Sequence, residues 1–229
     1  MSLYAIADLH LSLGSDKPMD IFGGWDNYVA RLEKNWRSIV NKEDTVVIAG
    51  DISWAMRLDE IYKDFLFLNT LPGKKILLKG NHDYWWSTRK KIEDYLKSND
   101  FNSISILFNS AEPVDHFAVC GTRGWSYDCA TDEDIKILKR EVSRLTTSVE
   151  QALKTGLEPI VFLHYPPVFS GYECGDIIEV LQKYNIKKCY YGHIHGKNIA
   201  SKTVTGLYKG IDFNVISCDQ IGFKPVLIS

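Results

Sequence analysis

The sequence predicts a layered α/β fold. Short apolar, β-branched runs alternate with amphipathic helical stretches through the first half of the chain, and a polar motif follows the end of one run after another. Unbroken apolar runs of about four to eight residues read as strands buried on both faces, and helical stretches between them supply the crossovers that parallel pairing needs.

The first strand is read over Leu3 to Ala7 and stops at Asp8. A helix over Asp26 to Val40 leads to a strand at Thr45 to Ala49, and a second helix over Leu58 to Leu71 leads to Lys75 to Leu78. A third helix, Ser87 to Lys97, precedes strands at Ile104 to Phe108 and Phe117 to Cys120. In the longest helix, Asp132 to Lys154, the residues Ile135, Leu138, Val142, Leu145, Val149 and Leu153 mark one face. Strands at Ile160 to Leu163 and Lys188 to Tyr191 follow, then Phe213 to Ser217 and Phe223 to Ile228. This last stretch is poor in helix and reads as antiparallel.

The chain has 229 residues, of which 45% are hydrophobic, enough for one substantial core over 1–229. A net charge of −2 gives little attraction for a nucleic-acid backbone or an anionic membrane. Local basic clusters at Lys74, Lys75 and Lys79, or at Arg89, Lys90 and Lys91, read as solvated surface. The five cysteines, Cys120, Cys129, Cys174, Cys189 and Cys218, are odd in number and form no Cys-x-x-Cys pair. That pattern excludes a zinc ribbon and suits a reducing cytoplasm, with Cys120, Cys189 and Cys218 packed in strands. The first apolar run is too short for a signal-peptide core, so a cytosolic protein without a membrane span is expected.

Chemistry concentrates just after the strands. Leu3 to Ala7 is followed by Asp8-Leu9-His10, Thr45 to Ala49 by Gly50-Asp51, and Lys75 to Leu78 by Lys79 and Gly80-Asn81-His82-Asp83. Ile160 to Leu163 ends at His164, and Lys188 to Tyr191 ends at Gly192-His193-Ile194-His195. The carboxyl ends of parallel strands share one edge, where ligands bind, so these motifs can converge. Carboxylate, imidazole and amide oxygen suit hard or borderline metal ions. Asp-x-His and His-x-His place two ligands on one side of an extended segment, and the glycines before Asp51, Asn81 and His193 permit close approach of the backbone. Each motif alone is weak. Together they hold five of the six histidines, leaving His116 as structural.

In that order, Asp8-x-His10, Gly50-Asp51, Gly80-Asn81-His82-Asp83, His164 and Gly192-His193-x-His195 make the sequence resemble the calcineurin-like metallophosphoesterase superfamily. The resemblance implies a two-layer β-sandwich of mixed sheets flanked by helices, with a dinuclear metal site at the sheet edge. By position it implies one metal held by Asp8, His10, Asp51 and His195, and a second held by Asp51, Asn81, His164 and His193. Asp51 would bridge the two. Manganese, iron and zinc all fit this ligand set. The implied reaction is hydrolysis of a phosphate ester by a metal-bound hydroxide, with His82 protonating the leaving group and Asp83 orienting its ring.

The pattern departs from the protein phosphatases of the superfamily. Their Gly-Asp runs on into a Val-Asp-Arg-Gly-like segment, whereas this chain reads Gly50-Asp51-Ile52-Ser53-Trp54-Ala55-Met56-Arg57. A small phosphorylated substrate, phosphodiester or nucleotide-like, is therefore expected over a phosphoprotein. An interaction scaffold and a nuclease are the alternatives. Trp54, Tyr84, Trp85, Trp86, Trp125 and Tyr127 lie near the motifs, where aromatic faces can stack a base or simply fill the core. Arg123 in the same loop reads as solvated.

Overall fold

The computed structural model describes residues 1–125, 131–196 and 202–229; Tyr127 and Cys129 lie outside them. Seven elements build the first half in strict alternation: β1 (Leu3–Ile6), α1 (Tyr28–Ile39), β2 (Thr45–Ala49), α2 (Tyr62–Thr70), β3 (Lys74–Leu78), α3 (Arg89–Ser98) and β4 (Ile104–Ile106). The four strands pair in parallel in chain order, each helix returning the chain to the start of the next strand.

The second sheet begins with a hairpin, β5 (Ala111–Val114) and β6 (Phe117–Thr122). The long α4 (Asp132–Lys154) then leads to β7 (Glu158–Leu163), and a small hairpin of β8 (Val168–Phe169) and β9 (Tyr172–Glu173) precedes α5 (Gly175–Lys183). Strands β10 (Lys188–Tyr191), β11 (Gly206–Tyr208) and β12 (Ile211–Val215) complete the sheet in the order β11-β12-β10-β7-β6-β5. Finally β13 (Val226–Leu227) crosses back to pair antiparallel with β1.

The two sheets face each other across a shared apolar layer. Leu3, Ala5, Val47, Ala49, Ile76 and Leu78 from the first meet Phe117, Val119, Ile160, Phe162 and Tyr190 from the second. Neighbouring residues on the same strands point outward: Val46, Ile48 and Leu77 pack with Leu32, Trp36, Phe65 and Ile92 from the helices. On the far side Ala118, Cys120, Val161 and Leu163 pack with Leu145, Val149, Ile177 and Leu181. Both faces of each central strand are therefore apolar, which is why these runs are unbroken in sequence. The result is a two-layer sandwich of mixed sheets flanked by helices. No helix among the described residues is long and apolar enough to cross a membrane.

Several expectations are corrected. The C-terminal stretch carries α5, and β10 pairs in parallel with both β7 and β12; among the described residues antiparallel pairing there is confined to the β8–β9 hairpin, β11 and β13. Helix α5 spans nine residues and has no side-chain cap, leaving little local signal to find it by. Cys120 and Cys189 sit in strands, but Cys218 lies in a turn after β12, where its thiol donates to the Asp8 carbonyl at 2.8 Å. The Lys74, Lys75 and Lys79 cluster does not form. Lys75 is fully buried and donates from Nζ to the Leu71 and Gly73 carbonyls at 2.7 and 2.8 Å, and burial lowers its pKa to about 8. Arg89 and Lys90 stay exposed along α3 and pair with Glu93 and Asp94.

Helix α4 also packs differently from its apolar pattern. The buried residues are Glu141, Leu145, Ser148, Val149 and Ala152, while Ile135 is 42% and Leu153 43% exposed. No residue of the helix before Glu141 is buried, so position on the helix matters as much as face. Phe162→Ala should lower stability by about 3–5 kcal/mol, whereas Ile135→Ala should change it by less than about 0.5 kcal/mol. Urea denaturation of the two variants checks this, and comparable losses would contradict the placement of α4.

Candidate metal centre

Every motif residue emerges at the carboxyl end of a strand: Asp8 and His10 after β1, Asp51 after β2, Asn81 to Asp83 after β3, His164 after β7, and His193 and His195 after β10. The backbone there is bent rather than extended. Asp8, His10, Asp51 and His193 all have positive φ, at 61°, 45°, 51° and 71°. The period-two argument for Asp-x-His is thus corrected: the paired ligands converge through left-handed turns, conformations uncommon outside glycine and often found at functional sites.

Hydrogen bonds hold these turns together. Asp8 and His10 amides donate to the Gly50 and Asp51 carbonyls, each at 2.9 Å. The His193 amide donates to Asp8 Oδ2 at 2.9 Å, and the His82 amide to Asp51 Oδ1 at 2.7 Å. Glycine permits the approach. A Cβ on Gly80 would lie 2.2 Å from the Asp51 amide nitrogen, and one on Gly192 would lie 2.6 Å from both Ala7 Cβ and Asp8 Oδ2.

The structure brings all seven expected ligand residues to one place. Asp8, His10 and His195 form one group, and Asp51, His164 and His193 a second. Asp51 lies between them, its Oδ2 standing 3.7 Å from His10 Nε2 and 3.4 Å from His164 Nε2. Asn81 Oδ1 stands 2.7 Å from His164 Nε2, and His10 Nε2 is 3.3 Å from His195 Nε2.

The Asp51–His164 and His10–His195 separations fit metal binding, whereas Asn81 and His164 stand at hydrogen-bond length and Asp51 and His10 slightly wider. Two ligand atoms each about 2.1 Å from one cation stand roughly 3.0–3.5 Å apart. Asp8 Oδ1 is buried without a hydrogen-bond donor among the described residues, 3.8 Å from His195 Nε2 and 3.7 Å from His164 Nδ1. Burial raises the pKa of Asp8 to about 7 and also raises that of Asp51. It lowers His164 and His193 to about 3 and depresses His10 strongly, keeping all three imidazoles in the neutral form that metals bind. Burial would lower His195 as well, but the Asp219 hydrogen bond and the Asp8 charge hold it up at about 9.

Outer partners fix the rings. His164 Nδ1 lies 3.1 Å from the Ala49 carbonyl, and His195 Nδ1 lies 2.9 Å from Asp219 Oδ1. Each contact leaves Nε2 directed at the centre. The Gly196 amide also donates to Asp219, at 2.9 Å. Sequence reasoning missed Asp219, although it too follows a strand end. His82 lies at the rim with neither ring nitrogen hydrogen-bonded to a described residue, its ring 5.6 Å from His10 and 4.5 Å from Trp54 between centroids. The expected role of Asp83 as an orienter of that ring is corrected. Its carboxylate is fully buried and accepts from the Gly80, Ile52 and Ser53 amides and the Trp85 indole, and it makes no hydrogen bond to the His82 ring. Asp83 instead ties the loop after β3 to the loop after β2. His116 pairs with exposed Asp115, far in function from the centre.

The chain matches the calcineurin-like phosphoesterases over residues 1–197. It belongs to that family. The family uses a dinuclear metal site, and the described residues offer two candidate ligand groups for one. It is 39% identical over 80 residues to the gene 66 protein of Mycobacterium phage L5, a match spanning 34% of this chain and 37% of the phage protein. Its fold is similar to that of TT1561 of Thermus thermophilus, at a TM-score of 0.59 and 11% identity over 98% of this chain and 96% of that one. A phosphopantetheinyl hydrolase from Mycobacterium tuberculosis and a protein of unknown function from Aquifex aeolicus each share the fold at a TM-score of 0.55 and 16% identity, over 99% of this chain and 95% of theirs.

Because Asp219 positions His195, Asp219→Ala should weaken metal binding by about 10- to 100-fold. Titration against a competing chelator measures this. Unchanged affinity would show that His195 needs no outer partner.

Proposed function

We propose that this chain hydrolyses a small phosphodiester or nucleotide-like ester, with His82 as the general acid. The observation that carries this reading is the position of His82, which adjoins the ligand set while its ring nitrogens make no hydrogen bond to a described residue. In the same proposal Asp8, His10, Asp51 and His195 hold one metal, Asp51, Asn81, His164 and His193 hold the other, and Asp51 serves both. When bound, two such metals supply a nucleophilic oxygen at neutral pH and neutralise charge building on the phosphate.

The residues of the chain do the rest. A cavity of about 400 Å³ opens beside the centre, lined by His10, Met19, Phe22, Trp25, Trp54 and His82 among others. Its apolar walls suit the organic part of an ester and keep bulk water from the leaving group. His82, in that wall, is placed to pass a proton to the departing oxygen. Trp54 stacks on His10 at 4.9 Å between centroids and carries Lys17 4.8 Å from its ring, so it already has stacking neighbours. Trp25, absent from the expected aromatics, is the better-buried wall at 4% exposure.

The departure from the protein-phosphatase pattern supports the same reading. Arg57, the first arginine after Asp51, is exposed and pairs with Asp59 and Glu60 at 3.2 and 3.3 Å, so it grips nothing at the centre. Assays of phosphomonoesters, phosphodiesters, cyclic nucleotides and phosphopeptides with added manganese should give the highest kcat/KM on a phosphodiester. Equal or greater kcat/KM on phosphopeptides would overturn the preference.

His82→Ala separates acid catalysis from a bracing role. A nitrophenolate leaves without protonation, whereas an alkoxide does not. The variant should therefore lose about 10²- to 10⁴-fold on an alkyl ester, much less on a nitrophenyl ester, with metal content unchanged. Equal losses on both esters would sink the acid assignment.

A further inference from the structure

A second polar cavity, of about 220 Å³, opens on the same sheet edge, on the side of Asn81 and His164. It is lined by Lys79, Ser87, Thr122, Arg123, Glu141 and Arg144, together with apolar residues from the ends of β3, β4 and β6. Two backbone connections tie it to the metal centre. Lys79 directly precedes Gly80-Asn81, and the Arg123 carbonyl accepts the His164 and Tyr165 amides at 3.1 and 2.9 Å. A ring series runs the same way: the Arg123 guanidinium lies 4.7 Å from the Trp125 ring, Trp125 is 5.7 Å from Tyr165, and Tyr165 is 4.4 Å from His193.

Among the described residues the charges lining this cavity do not balance. Glu141 is 1% exposed, and its carboxylate is already engaged by Thr122 Oγ1 at 2.5 Å and Arg144 Nη1 at 2.6 Å, with Arg123 Nη2 at 3.8 Å. Against that one carboxylate stand three cations. Among the described residues, Lys79 is half-buried with no carboxylate within ion-pair distance, and Arg123 Nε is buried without an acceptor. Partly buried cations of like sign, with donors unspent, are costly unless an anion joins them. Guanidinium groups are well matched to phosphate or carboxylate oxygens. The volume is several times that of one water, about 30 Å³.

We propose that Lys79, Arg123 and Arg144 form an anion subsite for a second phosphate or carboxylate group of the substrate, an inference that rests on the phosphoesterase reading above. The ester bond to be cut lies at the metal centre, and the anionic arm of the same molecule reaches along the sheet edge into this cavity. Arg123 and Lys79 are then positioning residues for the arm, and a substrate lacking the arm loses those contacts only.

Two measurements on the metal-loaded protein test this. The first compares kcat/KM for a nitrophenyl alkyl phosphodiester whose alkyl arm ends in a phosphonate with that for the same ester ending in a hydroxyl, over arms of increasing length. The phosphonate-ended ester should be favoured about tenfold or more at its best arm length. Lys79→Gln and Arg123→Gln should each pull that ratio towards one, and Lys79→Arg should retain it. Because the ratio is taken within each variant, general damage to the fold does not move it. The second is calorimetric titration with inorganic phosphate, which should show two sites on the native protein and one on the Lys79→Gln, Arg123→Gln double variant. Equal hydrolysis of both esters by the native protein would overturn the subsite while leaving the phosphoesterase reading intact. Two phosphate sites without a preference for the armed ester would mean a site for free anions, which also overturns the substrate assignment. If neither ester is cut, the proposed function fails, and the phosphate count still decides whether this cavity binds anions.

Discussion

Asp51 occupies the tightest point of the molecule. Its carboxylate stands between imidazoles from two different strand ends, accepts the His82 amide, and fills the space that a Cβ on Gly80 would need. Asp8, at the end of the neighbouring strand, presents a buried oxygen with no donor among the described residues. Buried carboxylates facing neutral imidazoles are unfavourable in a protein of ordinary composition, and cations at their focus relieve the cost. Much of the surrounding architecture can be understood as holding these groups together against that cost.

Parallel strands make the arrangement possible. Four strands of the first sheet and the central strands of the second all end on one edge, so residues far apart in the chain arrive together. The turns that follow take left-handed conformations at four ligand residues, each costing about 1 kcal/mol or more. The dense sheet-to-sheet core behind them is rigid enough to hold such turns in place. Asp83, Asp219 and the Ala49 carbonyl then fix the loops and rings from behind without facing the centre themselves.

Around this rigid centre the rim is chemically divided. One flank, with Met19, Phe22, Trp25 and Trp54, is apolar and includes His82. The other carries Lys79, Arg123 and Arg144 around a buried Glu141. A centre shared across a large family handles the phosphoryl chemistry, and such flanks are where a particular member distinguishes its ester from others. The exposed Arg57, paired with its own neighbours, shows that the cationic function has not been supplied from the loop after Asp51.

The motifs and the strands before them were legible in sequence because both obey local rules: an apolar run buried on two faces has no polar interruption, and metal binding demands particular side chains. Asp8, His10, Asp51, Asn81, His164, His193 and His195 could be named from order and residue type alone, and the glycines before three of them from the need for close approach. Other features depend on distant partners. Lys75 is buried because the carbonyls of Leu71 and Gly73 happen to close around its ammonium. Asp83 serves four donors on two loops instead of its neighbour's ring, and Asp219 matters only because His195 arrives beside it from another strand. Arg123 looked like a solvated loop residue until the fold set it against Glu141, Arg144 and Lys79. Residue chemistry and period are properties of the chain itself, whereas burial, charge balance and hydrogen-bond partnership between remote segments exist only once the two sheets have closed on each other.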